Sequence, residues 1–197
     1  MQTLGVIEPV LLVIAGFSRH ETLLDEITVE LESLFGPVAV AGPTIEFRNT
    51  AYYEASMGRG LLKRYWAFEK LQEPDALAAV KRKTIAVEEA LQLSGRYPEA
   101  RPLNLDPGFL GLGKFVLATT KDQAHRVYLH GGIFAEVTLR YHDGEYEPRP
   151  WTYPDWQLPQ VIAFLKEARR YFASVRVEPA GHRRQLPDLL VRQTSNR

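Results

Sequence analysis

The sequence predicts an α+β protein: a ferredoxin-like β-α-β-β-α-β core, extended by antiparallel hairpins and a C-terminal helix. Three observations predict it. Over roughly the first half of the chain, short apolar runs bounded by Gly or Pro alternate with two stretches of helical periodicity. Between residues 114 and 147, period-two alternation is punctuated by Gly131-Gly132 and Asp143-Gly144, both two-residue hairpin turns. A last amphipathic stretch follows a proline-rich, aromatic segment.

Each element has a local reason. Residues 10–17 (VLLVIAGF) form a continuous apolar run closed by Gly16 and Ser18, which reads as a buried strand. Eight residues are too few to cross a bilayer, which takes roughly 20. Glu8 and Pro9 stand where a signal peptide would be basic, so no membrane partner and a cytoplasmic location are expected. Leu23, Leu24, Ile27, Leu31 and Leu34 fall at helical spacing, predicting a helix over Glu21–Phe35 that Gly36-Pro37 stops. Val38–Phe47 reads as a strand bulged at Gly42-Pro43.

A loop with Tyr52, Tyr53, Met57 and Gly58 leads to a strand over residues 63–69, whose Tyr65 and Ala67 face opposite to Trp66 and Phe68. A second helix starts after Pro74 with Asp75 as N-cap and runs to Leu93, its apolar stripe including Leu77, Val80, Ile85, Ala86 and Leu91. On it, Lys81-Arg82-Lys83 reads as a solvated basic face. Residues 101–105 complete the core. Strands are then expected over residues 114–120, 126–130 and 133–141, the last alternating Phe134, Glu136, Thr138 and Arg140 against Ala135, Val137 and Leu139. A final helix spans residues 158–174, with Val161, Ile162, Leu165, Ala168 and Phe172 as its core face. Residues 1–176 are expected to be one domain and 177–197 a mobile tail, in which Leu186, Leu189, Leu190 and Val191 offer a docking or homo-oligomer contact.

Composition excludes several functions. Lys+Arg and Asp+Glu both total 24, so the chain lacks the basic excess that displaces counterions from nucleic acid. RNA stacking on Tyr65, Trp66 and Phe68 is the form such binding would take, and neutrality argues against it. The absence of cysteine excludes disulfides, thiolate nucleophiles and cysteine-ligated metals.

The chemistry-bearing residues concentrate in the second half. Gly108-Phe109-Leu110-Gly111-Leu112-Gly113-Lys114 matches a phosphate-loop spacing, but Phe115 replaces the magnesium-binding Ser or Thr and the residues after it are poor helix formers. With no guanine-reading motif either, a GTPase is not expected. Asp106, Lys114, Lys121, Asp122, His125, Arg126 and Glu136 form the candidate set: His125 and Glu136 for proton transfer, Lys114, Lys121 and Arg126 for a phosphate, Asp106 for a divalent metal as the one cofactor considered. If the strands around Gly131-Gly132 pair, Glu136 lies near Arg126 or Tyr128, and the simplest reading is an exposed cross-strand ion pair. Tyr53, Trp151, Tyr153 and Asp155 are candidate ligand contacts; the plainer alternative makes the 151–156 loop a plug over the core with Asp155 capping the last helix. The expected partner is a small phosphorylated or nucleotide ligand, the alternative a non-catalytic interaction module.

Several strings together resemble a known family. They are Thr50-Ala51-Tyr52-Tyr53-Glu54 with Met57-Gly58, Asn104-Leu105-Asp106-Pro107-Gly108-Phe109-Leu110, Leu117-Ala118-Thr119-Thr120-Lys121-Asp122, His125-Arg126-Val127-Tyr128-Leu129, Glu136-Val137-Thr138-Leu139 and Trp151-Thr152-Tyr153-Pro154-Asp155. Over about residues 10–173 the chain resembles the bacterial and archaeal domain-of-unknown-function family 4416. The resemblance implies no established activity; members are sometimes labelled GTP-binding. Ala51 and Ser56 stand where the family usually carries acidic residues, and the Gly113-Lys114 pair is not part of its usual pattern.

Overall fold

A computed structural model describes residues 7–47 and 53–176. The elements are β1 (Leu11–Ser18), α1 (Glu21–Phe35), β2 (Val38–Phe47), the single turn α2 (Glu54–Met57), β3 (Leu61–Phe68), α3 (Leu77–Leu93), β4 (Asn104–Leu110), β5 (Lys114–Thr119), β6 (Val127–His130), β7 (Ile133–His142), β8 (Glu145–Pro148) and α4 (Pro159–Val175). All eight strands join one antiparallel sheet in the order β2-β3-β1-β4-β5-β7-β6, with β8 pairing β7. The chain is therefore a mixed α+β protein. Among the described residues, no helix is long and apolar enough to cross a membrane. The expected tail contact lies outside the described residues.

The sheet has helices on both faces, so its central strands are apolar on both sides. All eight residues of β1 are buried. Leu12 and Ile14 point to α1 and α3 with Trp66 and Phe68, while Leu11, Val13 and Ala15 point to α4 with Tyr65 and Ala67. The alternation expected in β3 thus serves two cores. Tyr65, Trp66 and Phe68 lie under helices, at most 2% exposed, and cannot stack on RNA. In α1 the core stripe ends on Phe35 rather than Leu34, which is 40% exposed.

Both hairpin turns are as expected. Gly131 and Gly132 have φ of 59° and 78°, and Asp143 and Gly144 have 48° and 84°, the doubly positive geometry that matches the twist of the flanking strands.

Four expectations change. The second helix is entered through a single 3-10 turn at Pro74–Ala76, and Asp75 makes no side-chain cap. The fourth strand starts at Asn104 and continues through Leu110, since its ladder with β1 runs from Phe17↔Asn104 to Leu11↔Leu110. That ladder places Gly108 in a strand: a Cβ there would meet the Phe115 ring at 2.7 Å, so this glycine serves packing rather than phosphate binding. In β7 the alternation breaks: Phe115 opposes Leu139 while Val116 opposes Val137, leaving Thr138 as an extra residue. The bulge places Glu136 and Leu139, not Glu136 and Thr138, on the α4 face. Finally, Lys81 is no solvated residue, being 5% exposed beneath β4.

Candidate functional site

The face of the sheet covered by α4 is closed at one end and open at the other. The β4–β5 ladder contains only Gly108↔Leu117, Phe109↔Val116 and Leu110↔Phe115, and stops beside Pro107, which has no N–H to donate. Beyond it the two strands part. Lys81, arriving from α3 on the opposite face, reaches this parting: its Nζ donates to the Leu105 carbonyl at 2.6 Å and lies 3.6 Å from Asp106 Oδ1. The ends of β1, β3, β4 and β5 and the middle of β7 together floor a cavity of about 390 Å³ there, within the range of small-molecule sites, roughly 300–1,000 Å³. The loop after β5 and the single 3-10 turn Pro154–Gln157 wall it.

Two buried charge clusters face each other across this floor. On the β3 side, Lys63 Nζ donates to Asp155 Oδ2 at 2.6 Å, and Tyr65 OH donates to the same oxygen at 3.3 Å. The Lys63 ammonium sits 5.3 Å from the ring centres of Phe17, Phe47 and Trp156, and 5.7 Å from that of Tyr65. Burial and the Asp155 carboxylate push the Tyr65 phenol far above its usual value, so this hydroxyl stays a donor. Asp155 therefore does not cap α4, whose N-cap, Leu158, carries no side-chain cap.

On the β7 side, Arg126 Nε donates to Glu136 Oε2 at 2.7 Å, and His125 Nε2 lies 3.1 Å from the same oxygen. The Arg126 and Glu136 side chains are only 3% and 2% exposed, so the pair is buried rather than the surface pair expected. Arg126 also donates to the Lys121 carbonyl and to Tyr153 OH. Glu136 Oε1 is buried without a hydrogen-bond partner, as is Asn104 Nδ2 on the floor.

Asp106 lies between the clusters with its side chain 30% exposed, opening into the cavity. Burial alone would raise its carboxyl; the Lys81 and Lys63 ammoniums outweigh that and hold it below the usual carboxylate range. Nearby, Arg101 bonds Asn104 Oδ1 and, at 3.0 Å, Glu88. Burial pushes the Glu88 carboxyl up, against the pull of Lys81 and Arg101.

The structure brings together Tyr53, Asp106, Lys121, Arg126, Glu136, Tyr153 and Asp155 on one cavity. It does not bring in the others. His125 stacks on Trp151 at 4.7 Å and 13° behind Glu136, and Trp151 Nε1 donates to the Val137 carbonyl, filling the edge of β7 between β6 and β8. Lys114 starts β5 at the far end of the sheet. Asp106 is surrounded by cations rather than ligands, and among the described residues no group of three or more His, Asp or Glu is placed to hold a metal ion. Sequence reasoning missed Lys63, Lys81, Arg101 and Asn104. Lys63 left a signal: it shares the β3 face of Tyr65 and Ala67, where a charge needs a partner.

The model of a family described as a domain of unknown function (DUF4416) matches residues 8–172, and the chain belongs to that family. Neither a curated protein nor a solved structure matches it.

Proposed function

For this member of the DUF4416 family, we propose that the cavity binds a small phosphorylated ligand, a sugar phosphate or a nucleotide. One observation carries the reading: Lys63, Lys81, Arg101, Lys121 and Arg126 line a single cavity whose lining carboxylates are Asp106, Glu136 and Asp155. Cations still outnumber carboxylates when Glu88, which pairs with Arg101 from outside the lining, is included, and that is the sign a phosphomonoester, at about −1.5 to −2, complements. Arg and Lys at one mouth supply both the forked and the point-charge contact that phosphate oxygens take. His125 acts through Glu136 in this reading, as a positioning residue. We also read the first six long elements as a ferredoxin-like core; its support is the order β2-β3-β1-β4, with α1 and α3 on one face.

A thermal-melt series with inorganic phosphate, ribose 5-phosphate and AMP tests the binding reading. A probe at roughly 100 times its Kd adds about 2.7 kcal/mol of stability. The shift is expected to shrink in Lys121→Ala, a substitution at an exposed residue. If no phosphorylated probe moves the melt, the reading is wrong.

The interaction alternative keeps one specific support. β6 is an edge strand with Val127 68% and Tyr128 58% exposed, and an uncharged edge invites pairing with a second copy. Light scattering decides it: a dimer that Tyr128→Lys dissociates supports this role, and a monomer at high concentration removes it.

A further inference from the structure

Resting on the phosphate-binding reading, we infer that the ligand is a phosphorylated polyol or sugar, and that Glu136 Oε1 accepts one of its hydroxyls. Three features of the cavity point the same way. The first is the unpartnered oxygen. Glu136 lines the cavity and is 3% exposed, Oε2 is engaged by both Arg126 and His125, and Oε1 is buried beside it without a protein donor. A buried carboxylate oxygen costs free energy until it is hydrogen-bonded, so the site is complete only when a donor arrives. Because Oε2 is spoken for, this carboxylate takes a single O–H or N–H and cannot clamp a paired N–H edge with both oxygens.

The second is the aromatic floor. A nucleobase needs an open ring face on which to stack. Phe17 and Trp156 are each 1% exposed and already surround the Lys63 ammonium, while Phe17 also stacks on Phe47 at 5.1 Å and meets Tyr53 edge-on at 4.9 Å. Tyr153, half exposed at the rim, has its hydroxyl held by Arg126. The rings form a lining for a cation.

The third is the mixture of donors and acceptors. Asp106, ionised and open to the cavity, is an acceptor beside the buried Asn104 amide, with the Lys81 ammonium 3.6 Å away. Alternating acceptors, donors and cations suit a ligand with several hydroxyls and one phosphate; they do not suit an apolar or planar one.

The test compares ribose 5-phosphate, ethyl phosphate and AMP by titration calorimetry on the full chain and on Glu136→Gln. The substitution keeps an oxygen for Arg126 but removes the charged acceptor. Ribose 5-phosphate is expected to bind wild type about tenfold or more tighter than ethyl phosphate, which has no hydroxyl. Glu136→Gln should remove most of that advantage and bring the two probes to within about twofold of each other. Wild type alone decides the polyol class should the variant fold poorly: equal affinity for ribose 5-phosphate and ethyl phosphate overturns it. An equal loss for both probes in the variant overturns the role of Glu136. AMP binding tenfold tighter than ribose 5-phosphate overturns the inference but leaves the phosphate reading standing. If none of the three binds, both fall.

Discussion

Strand β4 divides the molecule into two regions that differ in kind. Leu103, just before it, and its residues Leu105 and Phe109 turn toward α1 and α3 and join an apolar core with Leu24, Leu31 and Trp66. Asn104 and Asp106, one residue away in each case, turn to the other face and meet Lys63, Lys81 and Arg101 around the cavity. Both faces are buried by the same sheet. They differ because α1 and α3 cover one face, while on the other α4 packs across the β2 side and the opposite end is walled by loops. Where a helix supplies a continuous apolar stripe, the sheet answers with Leu, Phe and Trp. Where it does not, the sheet carries charges that have to find one another, and the stability of that end rests on pairing rather than on area.

The sharpest way to break this comparison is to orphan one charge. Asp155→Ala leaves the Lys63 ammonium buried without its carboxylate and is expected to cost about 3–5 kcal/mol in urea unfolding. The double variant Lys63→Met, Asp155→Leu should recover most of that loss while abolishing phosphate-probe binding. A double variant as unstable as the single one would show that the cluster is structural rather than a tolerated cost of function. On the apolar face, Leu24→Ala should cost about 2–5 kcal/mol through its cavity and leave probe affinity unchanged, because no charge is stranded.

A smaller effect lies in pH. Asp106 is held below the usual carboxylate range, so its contribution is fully present above its unfolded value, about 3.9, and is lost as pH falls through the lowered folded one. Glu88 has the opposite sign: its raised carboxyl stabilises below the unfolded value and loses that contribution as pH rises through the folded one. Lys81→Met should therefore raise the Asp106 titration seen by NMR and make Glu88 still harder to ionise. An unmoved Asp106 would place its main partner elsewhere. The smallest effect expected is at Lys114. On an exposed strand end away from the cavity, Lys114→Ala should change stability by no more than about 0.5 kcal/mol and probe affinity by less than twofold.

Much of the fold was legible because its signals are local. The helix over Glu21–Phe35 ends at Gly36 with φ of 93°, as a glycine before a proline allows. Two glycine-bearing turns specify their hairpins, and of the two neighbours the first of them offered Glu136, Arg126 and Tyr128, the structure has Arg126, buried rather than exposed. The misreadings share a cause. Pro107-Gly108 looks like a loop, yet β1 on its other side keeps the strand in register. Lys81 belongs to a basic triplet on a helix, and only the parting of β4 and β5 draws its ammonium inward. The bulge at Thr138 carries no composition signal, although it decides which face receives Glu136.

By itself, then, the sequence determined most of the elements, their turns, the lack of cysteine and the balance of charge, since each depends on neighbours in the chain or on composition. Only the tertiary structure decided which charges share a cavity. Lys63, Lys81, Asp106, Glu136 and Asp155 come from five separate elements and meet because strand register, one ladder's early end and one bulge turn them to the same place. Electrostatic pairing across such distances in sequence has no period to read. It is set by packing, where a buried charge is tolerated only beside its partner.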